Sequence, residues 1–342
     1  MRNEERFIEM LQYTRPHKGK SEQEYLERFI VPNIDWEDKS GNMIKIIGDK
    51  DPRIMFSSHT DTVHKHDGKQ QLFTDDCGTR VFSDSTCLGA DDTVGNYLML
   101  TMIEEKIPGL YIFHRGEERG GIGSTYIASE TPNLLADIEI AIALDRKGTD
   151  DVVQYQNGSR CCSEQFASEL ADLMEITGGD NWGSFTDTAM YTDLVKECTN
   201  ISVAYWNQHS KNEVCNTHQI GIIEERLLKA DWDSLKAYGY EDEDQWSLSY
   251  GHYVSTGYER HERPLQSSLS DNAQYSDEYW DLHDIVTYEP DTVIDYLYEC
   301  GVSASDIIPS HRSCKVDNID PQPDPRSRGN GGTRSLEWEG TP

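Results

Sequence analysis

Short apolar runs rich in β-branched and aromatic residues recur through the first two thirds of the 342-residue chain, and they constrain its fold more than any other feature. Four of them have the length of buried strands: RIMFSS (53–58), GLYIFHR (109–115), IEIAIAL (138–144) and NISVAYW (200–206). Continuous runs of this kind are typical of parallel strands that are covered on both faces. Helix-like segments at 93–106 and 164–176 separate them. The alternation predicts an α/β fold with three layers, α/β/α, around a mixed, mostly parallel central sheet.

Two helices and a hairpin are predicted before the first of these strands. Apolar residues recur at helical spacing over Glu4–Gln12 and Glu22–Ile30. A hairpin-like segment, NIDWEDKSGNMIKIIG (33–48), follows with Gly41 at its turn. We therefore expect the α/β domain to begin close to residue 1.

The charge distribution divides the chain. Residues 231–342 hold 23 acidic and 8 basic side chains, which is about twice the negative charge per residue of the preceding part. From residue 321 the sequence is rich in Pro, Gly, Arg and Ser, a composition that cannot bury a core. We predict a catalytic domain over 1–230, a partly ordered acidic extension over 231–320 with one short helix at Asp291–Cys300, and a disordered tail over 321–342.

Composition excludes several classes of protein. The formal net charge of −31 opposes binding to nucleic acid and to anionic membranes. No run approaches the roughly 18 apolar residues of a membrane span, and the first residues have no apolar signal core. The eight cysteines lie at irregular spacings without a Cys-x-x-Cys pair, which indicates free thiols and disfavours a structural zinc site. We expect a cytoplasmic protein.

Metal-competent side chains cluster where the apolar runs end. His59 and Asp61 follow the first run, Glu117 and Glu118 the second, Asp145 the third and His209 the fourth, while Asp91 and Asp92 precede a helix pattern. In sheets of this class ligands bind beyond the carboxyl ends of the strands. Five such clusters at one edge indicate a site, although a single one is expected by chance in a chain this acidic.

Each cluster taken alone has a structural alternative. His59 and Asp61 form either a polar turn or, at a spacing of two on one strand face, a metal ligand and the carboxylate that orients its ring. Asp91 and Asp92 either cap a helix or bridge two metals. Glu117 and Glu118 form either a solvated loop or, on extended backbone, a ligand and a group that addresses bound water.

Five motifs in order resemble the co-catalytic di-zinc exopeptidases, which include tripeptidases, glutamate carboxypeptidases, deacylases and zinc aminopeptidases. They are SSHTDTVH, LGADDTVG, GEERGGIGS, ALDRKG and NQHSKNE, within residues 20–230. The resemblance implies two divalent metal ions, held on one side by His59, Asp145 and Asp91, and on the other by Glu118, His209 and the same Asp91. It further implies that Glu117 is the general base, that the Asp91–Asp92 peptide is cis, and that Ser210 and Glu213 complete the context of His209. Asp61, as the carboxylate that orients the His59 ring, is the second catalytic candidate.

Other candidates near this pattern carry weaker expectations. Asp187 either contacts substrate or caps a helix, and the structural role is favoured. We expect His64 and His66 to be exposed loop histidines and His114 to be packed within a strand. Only 64 positions separate Asp145 from His209, which leaves no room for an inserted lid domain.

The resulting expectation is a di-metal hydrolase that cleaves a peptide or amide bond near a free terminus. Two histidines and three carboxylates suit zinc, and also cobalt or manganese. Because no lid is present, an aminopeptidase acting on peptides is favoured over a carboxypeptidase or a deacylase of acyl-amino acids. The alternative from another class is an inactive scaffold that binds a basic partner through its acidic last third. The sequence leaves the oligomeric state open.

Overall fold

A computed structural model describes residues 1–48, 52–179, 181–240 and 334–335. The predicted acidic extension and tail lie outside these residues, apart from 231–240 and 334–335. The helix predicted at Asp291–Cys300 lies wholly outside them. These three expectations therefore stay predictions.

Six α-helices and sixteen strands form the described fold. The helices are α1 Glu4–Leu11, α2 Lys20–Tyr25, α3 Ala90–Glu104, α4 Ile122–Glu130, α5 Glu164–Leu173 and α6 Thr217–Lys229. The strands are β1 Tyr13–Thr14, β2 Trp36–Glu37, β3 Met43–Ile47, β4 Ile54–His59, β5 Gly68–Lys69, β6 Leu72–Thr74, β7 Arg80–Ser83, β8 Gly109–His114, β9 Ile140–Arg146, β10 Tyr155–Gln156, β11 Ser159–Arg160, β12 Trp182–Gly183, β13 Glu197–Ser202, β14 Tyr205–Trp206, β15 Val214–Asn216 and β16 Arg334–Ser335. A π-helical turn, Leu26–Ile30, continues α2.

The central sheet has six strands in the order β13-β9-β4-β8-β3-β2. Its first four strands run parallel, and β3 and β2 join them as an antiparallel hairpin. The predicted mixed, mostly parallel sheet is therefore confirmed. A second sheet is antiparallel and has the strand order β14-β15-β7-β6-β16.

Alternating side chains of the central strands form two cores, one on each face. In β4, Phe56 packs with α1, α3 and α6 on one face, whereas its neighbour Met55 packs on the other face with Ile127 of α4 and Tyr191. Burying an apolar side chain of this size stabilises a fold by roughly 1.5–3 kcal/mol. Helices on both faces complete the three layers, as the sequence predicted.

The helices predicted before residue 231 and the hairpin with Gly41 at its turn are present, with small shifts of their ends. The fourth apolar run is the exception, because the central strand begins earlier, at Glu197, and ends at Ser202. A register shift between Asn200 and Ser202 and a positive φ at Ala204 divert the chain, so Tyr205 and Trp206 join the second sheet.

Between Asp145 and His209 the described residues form α5, β10 to β14 and a 3-10 turn, and they include no lid domain. The six cysteines within the described ranges are free thiols. In the part of the chain that the structure describes, no helix is long and apolar enough to cross a membrane.

Candidate metal centre

The carboxyl edge of the central sheet brings the predicted ligands together. His59 ends β4, Asp145 lies near the end of β9, and Glu118 follows β8 in a 3-10 turn. Asp91 lies at the start of α3, and His209 lies in the loop after β14. These side chains come from five separate segments, so only the folded sheet places them within reach of one another.

Asp91 is the centre of this arrangement, because its two carboxylate oxygens face different histidines. Its Oδ1 lies 3.0 Å from Nε2 of His59, and its Oδ2 lies 3.2 Å from Nε2 of His209. Beside His59, Oδ1 of Asp145 lies 3.6 Å from the same Nε2. Beside His209, Oε1 of Glu118 lies 3.0 Å from Nε2. One carboxylate therefore joins two sets of donor atoms.

The donor atoms of each set are close enough to share an ion. Those of His59, Asp91 and Asp145 lie within 4.8 Å of one another, and so do those of Asp91, Glu118 and His209. Glu118 supplies a further sign, because its Oε1 is buried without a hydrogen bond of good geometry. An orphaned oxygen beside a ring nitrogen is an arrangement that a cation would complete, and imidazole with carboxylate is a donor set for zinc, cobalt or manganese. The residues therefore fit two divalent ions.

The charged groups of the cluster also favour the binding of a cation. Burial raises the pKa of Glu117 well above its ordinary value, and burial likewise raises the pKa values of Glu118 and Asp145, with the neighbouring carboxylates adding to each. Burial opposes the charge on His209, yet Glu118 and Asp91 outweigh it and raise the pKa of His209 to about 12. Acidic groups this crowded compete for protons, and divalent cations would replace those protons.

Two hydroxyl groups that sequence reasoning missed hold Asp145. The Thr186 hydroxyl donates to Oδ2 at 2.7 Å, and the Tyr205 hydroxyl donates to Oδ1 at 3.1 Å. The donors lie 41 and 60 positions away along the chain, so local spacing gave no signal of either contact. Hydrogen bonds of this kind fix the orientation of a ligating carboxylate.

Glu213 fixes the loop that carries Asp91. Its buried carboxylate accepts backbone N–H bonds from Leu88 and Gly89 at 2.9 Å each and from Asp91 at 3.0 Å. The Asp91–Asp92 peptide that follows is cis, as the resemblance implied. The segment of His209 and the segment of Asp91 are thus tied together through Glu213.

The structure corrects the predicted contact of Asp61. Nδ1 of His59 lies 3.0 Å from the backbone carbonyl oxygen of Asp61, whereas the Asp61 carboxylate lies 3.8 Å away. That carboxylate instead accepts backbone N–H bonds from Gly116 at 3.0 Å and Glu117 at 3.2 Å. Because β4 ends at His59, strand alternation does not govern these residues. The Asp61 carboxylate therefore holds the loop of Glu117, while the Asp61 backbone carbonyl makes the closer contact with the His59 ring.

The backbone at Glu117 and Glu118 also differs from expectation. The pair lies in a 3-10 turn, Glu117–Arg119, instead of on extended backbone. Gly116 enters this turn with φ of 75°, and a Cβ there would lie 2.8 Å from the His17 ring. The turn directs Glu118 toward His209 and keeps a Glu117 oxygen within 4.8 Å of a His59 ring nitrogen.

Three other candidates lie outside the cluster. His64 is 3% exposed, so the expectation of an exposed loop histidine is wrong. Its ring lies between the Thr62 hydroxyl at 2.7 Å and the Cys87 carbonyl at 3.0 Å, and burial lowers its pKa to about 4. His66 is exposed and His114 is buried, as expected.

Asp187 is buried beside His114. It is 1% exposed at the start of a 3-10 turn, and its Oδ2 lies 3.4 Å from Nδ1 of His114. Burial raises its pKa to about 7. This placement favours the structural role over the substrate-binding role.

A cleft opens at the metal-competent residues. Its lining combines them with polar, basic and aromatic groups from the strand ends and the loop after β12, including Arg146, Lys147, Gln156, Phe185, Asn200 and Gln208. Glu117, Asp91, Asp145 and His209 line the same cleft. A bound molecule would therefore meet the donor cluster and Glu117 together.

The fold is similar to that of solved peptidases. Aminopeptidase PepT from Bacillus cereus ATCC 10987 shares 16% sequence identity with a TM-score of 0.55, over 66% of this chain and 96% of that one. A tripeptidase from Staphylococcus aureus subsp. aureus Mu50 shares 17% identity with a TM-score of 0.51, over 65% of this chain and 95% of that one. No family model and no curated protein matches the chain. The chain has the fold of these peptidases, so the predicted resemblance is confirmed at the level of the fold.

Proposed function

We propose that this protein is a di-metal hydrolase that cleaves the peptide bond next to a free amino terminus. The observation that carries this proposal is the carboxylate of Asp91, whose two oxygens lie 3.0 and 3.2 Å from two histidines on opposite sides. A bridging carboxylate of this kind is what a pair of closely spaced metal ions needs. The similarity in fold to solved peptidases supports the same reaction class.

Each side of Asp91 would hold one divalent ion, and zinc is our first choice. His59 and Asp145 would complete one set of ligands, and Glu118 and His209 the other. When bound, two such ions supply Lewis acidity that polarises a carbonyl and lowers the pKa of water. Three carboxylates offset three of the four positive charges, which leaves the pair electrophilic.

Glu117 is the group that would move the proton. It lines the cleft, is largely buried, and is directed by the two N–H bonds that its loop donates to Asp61. In its ionised form it would accept the proton of the attacking water and deliver it to the nitrogen of the leaving amine. Thr186 and Tyr205 would keep the Asp145 carboxylate in the orientation that its ion requires.

The reaction class is tested by metal content and a matched pair of variants. We expect two divalent ions per chain by mass spectrometry, and activity that a chelator removes and Zn²⁺, Co²⁺ or Mn²⁺ restores. Glu117→Gln should keep both ions and lose roughly 10²–10⁴-fold in kcat. Glu225→Gln, an exposed substitution on α6, is the control and should match the parent.

A substrate panel separates the members of the class. Peptides with a free amino terminus should be cleaved, whereas N-acetylated peptides and N-acyl amino acids should not. Turnover of the N-acyl amino acids alone would indicate a deacylase. Fewer than one divalent ion per chain, together with no turnover of any substrate, would overturn the hydrolase in favour of a binding protein on an inactive scaffold.

A further inference from the structure

One basic pair interrupts the acidic lining of the cleft. Arg146 and Lys147 directly follow Asp145 at the end of β9, and all three line the cleft. The Arg146 guanidinium is already engaged, because it donates to Asp151 Oδ2 at 3.1 Å and to the Trp182 carbonyl at 3.0 Å. Lys147 is exposed, and its ammonium makes no hydrogen bond or ion pair with any residue that the structure describes.

The backbone beneath this lysine is fixed. The Lys147 carbonyl accepts a hydrogen bond from the Ser202 hydroxyl at 2.7 Å. The next residue, Gly148, donates to the Tyr205 carbonyl at 2.9 Å and accepts from the Ala204 N–H at 2.7 Å. The backbone that carries this ammonium in the cleft lining is therefore anchored, so binding an anion there requires little rearrangement of the backbone.

We propose that Lys147 binds a free carboxylate of the peptide substrate, on the leaving side of the cleaved bond. This inference rests on the proposed peptidase function and adds the group that selects the substrate. Lys147 lies in the bend directly after β9, two positions beyond Asp145, so the Cα atoms of the two residues lie at most roughly 7 Å apart. One residue of an extended peptide spans roughly 3.3–3.6 Å. Lys147 would therefore meet a C-terminal carboxylate one or two residues beyond the bond that lies at Asp145.

Charge gives this contact its selectivity. The chain carries a net charge of −31, so an anionic substrate end is repelled at long range. At ionic strengths near 0.15 M that repulsion is screened beyond about 8 Å, whereas a direct contact in the cleft is not. A lysine ammonium gains a charge-assisted hydrogen bond from a carboxylate that a neutral amide cannot match. Short peptides with a free carboxyl end should be selected over the same peptides with an amidated end.

Binding can be measured apart from turnover by isothermal titration of the zinc-loaded Glu117→Gln protein. The probe is a dipeptide with a free amino terminus, as the free acid and as the C-terminal amide. We expect the acid to bind at least about tenfold more tightly than the amide. Adding Lys147→Met should reduce this ratio to near one, and Lys147→Arg should preserve most of it.

A matched control removes the same charge elsewhere. Lys20→Met, on the exposed surface of α2, should leave the ratio of acid to amide affinity unchanged. Equal affinity for the two forms, failure to bind either, or a ratio that Lys147→Met does not alter would overturn the role of Lys147. The last result would mean that the carboxylate binds the metal ions directly. Failure of the proposed peptidase function would be a separate result. In that case the parent protein would bind the free acid more tightly than the amide but would cleave neither peptide.

Discussion

The substitution Glu213→Gln tests whether the loop of Asp91 is held by a carboxylate 122 positions away. The carboxylate accepts three backbone N–H bonds, with Leu88 and Gly89 on one oxygen and Asp91 on the other. Glutamine has the same shape but only one acceptor oxygen. If that oxygen keeps Leu88 and Gly89, the new amide NH₂ faces the N–H of Asp91.

The magnitude follows from these contacts. One buried N–H without a partner costs about 1–3 kcal/mol, and the two remaining bonds lose their charge assistance, so we expect a loss of about 2–4 kcal/mol in the free energy of unfolding. Displacement of Asp91 should also weaken metal affinity by about 10–100-fold, which is typical when a residue that orients a metal ligand is replaced. Urea unfolding of the metal-free protein and a competition titration against a chelator measure the two effects.

Glu224→Gln provides the matched control for this variant. Glu224 of α6 is also buried, and its carboxylate accepts bonds from the Arg2 N–H and from the hydroxyl of Tyr97 in α3. It should lower stability without changing metal affinity. If Glu213→Gln binds metal as tightly as the parent, Glu213 does not position Asp91.

Three further predictions concern other residues. Tyr205→Phe removes the hydroxyl bond to Asp145 and should weaken metal affinity by about tenfold, and an unchanged affinity in the chelator competition would contradict it. Thr186→Val removes the other hydroxyl bond to the same carboxylate. The double variant Thr186→Val/Tyr205→Phe should therefore lose less free energy of metal binding than the sum of the two single losses. His64 has a pKa of about 4 when folded and 6.5 when unfolded, so the unfolded chain binds the extra proton and stability falls as the pH is lowered from 6.5 toward 4. Urea unfolding should show that the free energy of unfolding falls by about 2 kcal/mol between pH 7.5 and pH 5 because of His64, and that this part of the fall is absent from His64→Gln. Equal losses in the two proteins would refute this role of His64.

The layers and the sheet could be predicted from the apolar runs because each run is long enough to be a buried strand. The exact end of β13 could not, since the run 200–206 continues in sequence while its backbone turns at Ala204. Strand identity depends on side-chain type, whereas strand ends depend on pairing with neighbours. The end of β13 is set by its hydrogen-bonded pairing with β9.

The residues of the candidate site could be predicted because each lies beside a strand end or a helix start. Their supporting contacts could not. Tyr205 and Thr186 reach Asp145 from distant segments, and the Asp61 carboxylate turns toward Gly116 because β4 ends before it. The burial of His64 depends on contacts with Cys87 and Gln70 that no short pattern contains.

The central claim is that Asp91 bridges two metal ions, and electron paramagnetic resonance of the manganese-loaded protein tests it most directly. Two Mn²⁺ ions joined by one carboxylate interact magnetically, so we expect two ions per chain and the spectrum of a coupled pair. In Asp91→Asn the coupling should be lost. A single ion per chain, or two ions that give the spectrum of isolated Mn²⁺ in the parent protein, would contradict it.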